Sequence, residues 1–338
     1  MARKIKVLVV DDSFMFREVV SMGISQDPLI DVVATATDPY IARDKIIEFE
    51  PDVITLDIDM PRMNGIEFLK KLMPQYPIPV IVVSAIDSGV LDALRYGAID
   101  FVTKSDINNR DYFISELIRK IKIASISKVG YPQEGYVNIE SIYDTSNINK
   151  NMIIAIGAST GGTEAILKIL KDFHKDIPGI VIVQHMPAKF TKMYADRINN
   201  ICEIDIKEAE KGDIVTPGKA LIAPGGYHME VKKRGDKYIV DCFRDEKVNG
   251  HRPSVDVLFN SVADCFGKKA VGVILTGMGC DGSKGLLKMK ESGAITIAQD
   301  EKTSVVYGMP RVAYQIGATT KVLPIHKISR EVYKSVSK

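Results

Sequence analysis

Ser159, His185 and Asp281 are the residues whose types and placement invite chemistry. Ser159 follows the apolar run Ile153-Ile154-Ala155-Ile156-Gly157-Ala158, and Thr160-Gly161-Gly162 leads from it into a helical pattern. That succession reads as a buried parallel strand, a tight turn and a helix N-terminus. His185 ends a second apolar run, Gly179–Gln184, and Asp281 lies in Thr276-Gly277-Met278-Gly279-Cys280-Asp281-Gly282, after the run Ala270–Leu275. The carboxyl ends of parallel strands share one sheet edge, so the three side chains would converge there. A serine hydroxyl attacks an acyl carbon only when a base takes its proton; a neutral imidazole does this near pH 7, and a carboxylate fixes its tautomer. Plainer roles compete: Ser159 capping its helix, His185 bonded at a strand end, Asp281 capping a helix near Gly282. His228, His251 and other aspartates, Asp300 first among them, are rivals for the same roles. The glycines do not fit G-x-G-x-x-G, because Ser159 stands at the second glycine position, and no P-loop lysine follows. A glycine turn that holds a nucleotide or another anion without chemistry is the alternative function, as a phosphorylation-switched binding module.

A second constellation lies nearer the N-terminus. Asp11-Asp12 follow the run Ile5–Val10, Asp57 follows Val53–Leu56, Ser84 follows Val80–Val83, and Lys104 comes just after Phe101-Val102. Three carboxylates converging at strand ends form a hard, oxygen-lined site suited to magnesium. Lys104 would offer a cation and Ser84 a hydroxyl to whatever anion the metal binds. Taken singly, an aspartate after a strand is a turn or cap residue.

The elements that must position these groups follow a βα rhythm. Residues 1–123 alternate five apolar runs, Val32–Ala36 being the second, with amphipathic stretches, which is the pattern of a doubly wound parallel sheet. From 124 to 150 the periodicity breaks at serines, glycines, Pro132 and asparagines, and a linker is expected; whether residues 141–143 pack on a domain is open. From 151 to 338 the rhythm resumes. Lys219–Ala223 is expected as a strand, Met229–Val231 and Tyr238–Cys242 as a hairpin around Arg234-Gly235-Asp236, and Val255–Phe266 as a helix capped by Ser254. Ala294–Ala298 should be a strand, Val305–Ile316 a helix interrupted at Gly308-Met309-Pro310, and Lys327–Val336 the last helix. The expected fold is therefore α/β throughout, two parallel-sheet domains with a hairpin in the second.

At 338 residues the chain can bury two cores. Its near-neutral total hides an asymmetry: residues 1–149 carry 16 Lys and Arg against 22 Asp and Glu, net −6, and residues 150–338 carry 29 against 21, net +8. Opposite signs favour docking of the halves or an acidic partner for the second, with solvated surface charge as the alternative. There is no helix-turn-helix pattern or dense basic stripe of a nucleic-acid reader, no apolar run of membrane-spanning length, and no signal peptide, since Asp11-Asp12 end the first run too early. Cys202, Cys242, Cys265 and Cys280 are widely spaced, which argues for reduced thiols in a cytoplasmic protein rather than a zinc site.

Two resemblances sharpen these readings. Val9-Val10-Asp11-Asp12-Ser13, Leu56–Gly65, Ser84-Ala85 and Gly97–Lys104 resemble the response-regulator receiver domain, a flavodoxin-like fold. The resemblance implies that Asp57 accepts a phosphoryl group, that Asp11 and Asp12 join it in binding magnesium, and that Ser84 and Lys104 contact the phosphoryl oxygens. Ser105 departs from the pattern, standing where the family usually has proline. Ile156–Gly162, Gln184-His185-Met186-Pro187, Ala223–Met229, His251–Asp256, Leu275–Gly282 and Tyr307–Arg311 closely resemble the CheB family of chemotaxis methylesterases. That resemblance implies Ser159 as nucleophile, His185 as base, Asp281 as its orienting acid and the Met278 backbone N–H in the oxyanion hole. Cys280, where a smaller residue would be expected, is a mild departure. The implied activity is hydrolysis of glutamate methyl esters on chemoreceptor cytoplasmic helices and deamidation of receptor glutamines. The implied phosphodonor is the chemotaxis histidine kinase, and magnesium belongs to the receiver alone. The family also leads one to expect that the unphosphorylated receiver restrains the esterase.

Overall fold

The computed structural model describes residues 3–85, 89–104, 109–129 and 147–337. The chain divides into two compact units, with the division between Val137 and Asn138. Ser105 and residues 141–143 lie outside the described residues.

In the first unit five strands form one parallel sheet: β1 (Ile5–Val10), β2 (Ile30–Ala36), β3 (Val53–Leu56), β4 (Val80–Ser84) and β5 (Asp100–Thr103), in the order β2-β1-β3-β4-β5. The strands β3 and β4 are buried along their whole length and carry nearly unbroken apolar runs, the composition of parallel strands covered on both faces. The order reverses between β1 and β3, so the residues that follow those strands border one crevice. The unit's last helix, Arg110–Ser125, runs two residues beyond the expected boundary at 123.

The second unit holds a seven-stranded sheet: β6 (Ile153–Ala158), β7 (Gly179–Gln184), β8 (Asp205–Glu208), β9 (Lys219–Ile222), β12 (Ala270–Ile274), β13 (Ile295–Gln299) and β14 (Lys321–Leu323), the intervening β10 (His228–Arg234) and β11 (Lys237–Phe243) being the antiparallel hairpin. Its order is β14-β13-β12-β6-β7-β9-β8, and every neighbouring pair is parallel. From β6 the chain winds outward to one side through β7, then returns to the other side at β12; the order therefore reverses at β6 and β12. Residues 148 and 149 belong to this unit rather than to a linker: Ile148 bridges Ser337, and the Asn149 N–H donates to the Val336 carbonyl at 2.8 Å.

The two strands missed by the sequence reading, β8 and β14, are the edges of this sheet, and their residues Asp205-Ile206-Lys207-Glu208 and Lys321-Val322-Leu323 are short and charged. Edge strands expose one row of backbone groups, and such composition guards them against pairing with other chains while erasing the apolar signal. Residues 305–308 are not helical: the helix starts at Met309, with Pro310 in its first turn, where a missing N–H costs nothing. The last helix begins at Ile325, just after Pro324. No helix among the described residues is long and apolar enough to cross a membrane.

Candidate active site and receiver site

Ser159 sits in the turn after β6, half-buried at the sheet's carboxyl edge. The turn closes by the Gly162 N–H donating to the Ser159 carbonyl at 2.7 Å, and Gly161 takes φ 75°, a left-handed conformation that side chains disfavour. Gln184, the last residue of β7, donates its amide Nε2 to the Ser159 carbonyl at 2.9 Å and to the His185 carbonyl at 3.2 Å, tying the two turns together.

His185 places Nε2 2.8 Å from Asp281 Oδ2. With Nε2–H donating to the carboxylate, Nδ1 is the nitrogen with a free lone pair; it is buried and has no hydrogen-bond partner among the described residues. Asp281 is itself held by five donors. Its Oδ2 also accepts from the Val255 N–H at 2.7 Å, and its Oδ1 accepts from Ser254 Oγ at 2.7 Å, Asn249 Nδ2 at 2.8 Å and the Asp256 N–H at 3.3 Å. Burial penalises this carboxylate, but the hydrogen bond and charge of His185, with Asn249 and Ser254, outweigh it and hold the group well below the usual carboxylate range. Asp281 does cap a helix, but not the one after Gly282: it reaches across to the N-terminus of Val255–Phe266, where the first N–H groups favour negative charge. Ser254, expected to cap that helix with its own hydroxyl, gives the hydroxyl to Asp281 instead.

The loop carrying Met278 lies against the serine. Thr276 Oγ1 donates to the Thr160 carbonyl at 3.0 Å, and the Ser159 N–H donates to the Thr276 carbonyl at 3.0 Å. A Cβ on Gly277 would stand 2.6 Å from Ser159 Cβ, so only glycine permits this approach. The Met278 N–H meets no acceptor among the described residues, as an oxyanion donor requires. Gly277→Ala should therefore push Ser159 out of line and lower any serine-dependent turnover by about 10²-fold in a folded protein, read as kcat beside a thermal melt; an unchanged kcat would show that the loop yields freely.

The rivals are accounted for by their own bonds. His228 is buried, donating Nε2–H to the Glu246 carbonyl at 2.8 Å and accepting from the Ser254 N–H at Nδ1. Asp300 turns back on its own loop, accepting from the Thr303 N–H and hydroxyl. His251 lies face to face with His185, centroids 3.8 Å apart. Burial pushes the thiols of Cys202 up to about 11 and Cys242 up to about 12, away from thiolate chemistry. Sequence reasoning missed Asn249, whose amide reaches Asp281; Asn-Gly marks a tight turn, but nothing in that dipeptide says where its side chain goes.

In the first unit ligand atoms of Asp11, Asp12 and Asp57 lie within 4.8 Å of one another. Lys104 Nζ is 2.6 Å from both Asp11 Oδ2 and Asp57 Oδ2. Burial opposes the Lys104 ammonium, yet its bonds to the two carboxylates prevail and raise its pKa; burial, together with the neighbouring Asp57 charge, raises Asp11 against the pull of Lys104. Ser84 Oγ donates to Asp59 Oδ2 at 3.4 Å, at the rim of the same crevice. Three oxygen donors of this kind fit magnesium.

Comparison with known proteins agrees across both units. A family model described as CheB methylesterase matches residues 154–332, and one described as response regulator receiver domain matches residues 7–111. The chain is 56% identical over 340 residues to a "Protein-glutamate methylesterase/protein-glutamine glutaminase 2" of Syntrophomonas wolfei, covering 99% of this chain and 98% of that one. It is 47% identical over 349 residues to a "Protein-glutamate methylesterase/protein-glutamine glutaminase" of Syntrophotalea carbinolica, covering 100% and 99%. The crystal structure of the Thermotoga maritima CheB methylesterase catalytic domain superposes with a TM-score of 0.53 at 40% identity, over 54% of this chain and 97% of that one.

Proposed function

This chain belongs to the CheB methylesterase family, and on that premise we propose that Ser159, His185 and Asp281 carry its reaction. The chain is a protein-glutamate methylesterase and protein-glutamine glutaminase linked to a phosphorylated receiver. The observation that best supports the residue assignment is the orientation of His185: Nε2 on Asp281, Nδ1 left as the base.

Ser159 Oγ attacks the ester carbonyl carbon as His185 Nδ1 takes the hydroxyl proton. The carbonyl oxygen becomes an oxyanion that the Met278 N–H receives. Collapse breaks the bond to the methoxy oxygen, which leaves as methanol with the proton from Nδ1. A water, deprotonated by the same nitrogen, then frees the glutamate and restores the serine. With glutamine the leaving group is ammonia and the remaining steps are identical. Asp281, anionic throughout, stabilises the imidazolium in each step.

The substrates we assign are glutamates and glutamines on the cytoplasmic helices of chemoreceptors, and the phosphodonor is the chemotaxis histidine kinase. The net charge of +8 on residues 150–338 suits an acidic helix. Asp57 would receive the phosphoryl group, with Asp11, Asp12 and Asp57 holding magnesium; the ion when bound offsets the charge gathered there. Ser84 and Lys104 would contact the phosphoryl oxygens. A serine-reactive fluorophosphonate should end methanol release from methylated receptor membranes in proportion to the serine labelled. Full turnover by a fully labelled protein would instead support an anion-binding module. Asp57→Asn should abolish the rate gain that a small phosphodonor gives the parent, measured in the same assay; a retained gain would move the acceptor elsewhere.

A further inference from the structure

We propose that the turn Val248–His251 is a positioning device for the His185–Asp281 pair, with His251 fixing the plane of the His185 ring. The inference rests on the assignment of His185 as base and deepens it. A hydrogen bond at one nitrogen aims an imidazole but leaves it free to rock about the bond axis. Rocking moves Nδ1, the atom that must meet the serine proton, across its whole arc. A flat partner on the ring face stops that motion. The His251 ring is such a partner, with centroids 3.8 Å apart and planes within 8° of parallel.

The turn that presents His251 is rigid. The Val248 N–H donates to the His251 carbonyl at 3.1 Å and the His251 N–H to the Val248 carbonyl at 2.9 Å. Asn249 between them has φ 53°, in the left-handed region that asparagine tolerates better than most residues. Its amide Nδ2 is 2.8 Å from Asp281 Oδ1 and 2.8 Å from Asp256 Oδ2. One NH₂ group offers two protons, so a single amide bridges the two carboxylates. A four-residue turn thus holds both members of the pair, its amide on the acid and its ring on the base. His251 acts through His185 and is a positioning residue.

The test uses the full-length chain, with kcat and KM measured separately by methanol release from methylated receptor membranes. His251→Ala should lower kcat by about 10- to 100-fold with KM within about twofold, because the base is misaligned and substrate binding is untouched. His251→Phe, which keeps a flat ring, should recover kcat to within about threefold of the parent, the scale of a stacking difference. Asn249→Gly, which keeps the backbone conformation and removes the amide, should lower kcat about 10-fold. Parent-like kcat in His251→Ala overturns the proposal, as does a folded His251→Phe as slow as the alanine variant. If thermal melts show that His251→Ala does not fold, His251→Phe and Asn249→Gly decide by the same criteria. Ser159→Ala runs alongside: activity surviving there would fail the nucleophile assignment and not the turn.

Discussion

Ser159→Ala should fold like the parent and lose methanol release by about 10⁶-fold, the scale on which a serine hydrolase loses its nucleophile. The turn does not depend on the hydroxyl. Its closing bonds run through backbone atoms: the Gly162 N–H to the Ser159 carbonyl, and the Ser159 N–H to the Thr276 carbonyl. Alanine keeps the Cβ that Gly277 is shaped to meet. Removing Oγ therefore subtracts the attacking atom and little else. What survives is binding and oxyanion stabilisation, which in related chemistry leave only a residual rate. Methanol release at even a tenth of the parent rate in this variant, with an unchanged melt, would mean that no acyl-serine forms.

Asp281→Asn should cost up to about 10⁴-fold in kcat and, unlike the serine variant, destabilise the fold. Asparagine matches aspartate in shape, but the carboxylate's surroundings do not accept the exchange. Both oxygens accept, Oδ2 from His185 and Val255, Oδ1 from Asn249, Ser254 and Asp256. An amide must turn its NH₂ toward one of these sets. Facing His185, it forces the wrong tautomer and meets the Val255 N–H donor to donor; facing the other way, it confronts the Asn249 amide and the Asp256 N–H. Either choice leaves buried donors unmet, at about 1–3 kcal/mol each. The parent's carboxylate, held below its ordinary range, adds stability that is present above the unfolded-state pKa and lost as pH falls through the folded one. Melting temperatures followed from neutral to acid pH should therefore converge for parent and variant. Equal melts at neutral pH, or a kcat loss under tenfold, would show that another group orients His185.

What the sequence disclosed, and what it withheld, divides along a physical line. The central strands and the turns after them were legible because a parallel strand buried on both faces is a plain apolar run, and the residue that ends it sits at the sheet edge. Ser159, His185, Asp57 and Asp11 are all placed at such strand ends. The edge strands Asp205–Glu208 and Lys321–Leu323 were not, since exposure replaces the apolar signal with charge. In the site, residue type alone does not say which histidine faces Asp281; His185 has its strand-end position, but the contact to Asp281 and the stacking of His251 on it are tertiary. The role of Asn249 was invisible for the same reason, as it depends on a turn 32 residues from Asp281 being folded over it.

The position of Asp281 at the head of the helix Val255–Phe266 gives the enzyme a built-in reporter. The amides of Val255 and Asp256 donate to the same carboxylate that holds the His185 imidazole. Their proton resonances should shift whenever the charge distribution of the His185–Asp281 pair changes, with acid, with an acylated serine, or with a transition-state mimic in place. Two main-chain signals on a helix that takes no part in the chemistry would then let the ionisation of the site be followed in solution, with no probe attached and no substrate turned over.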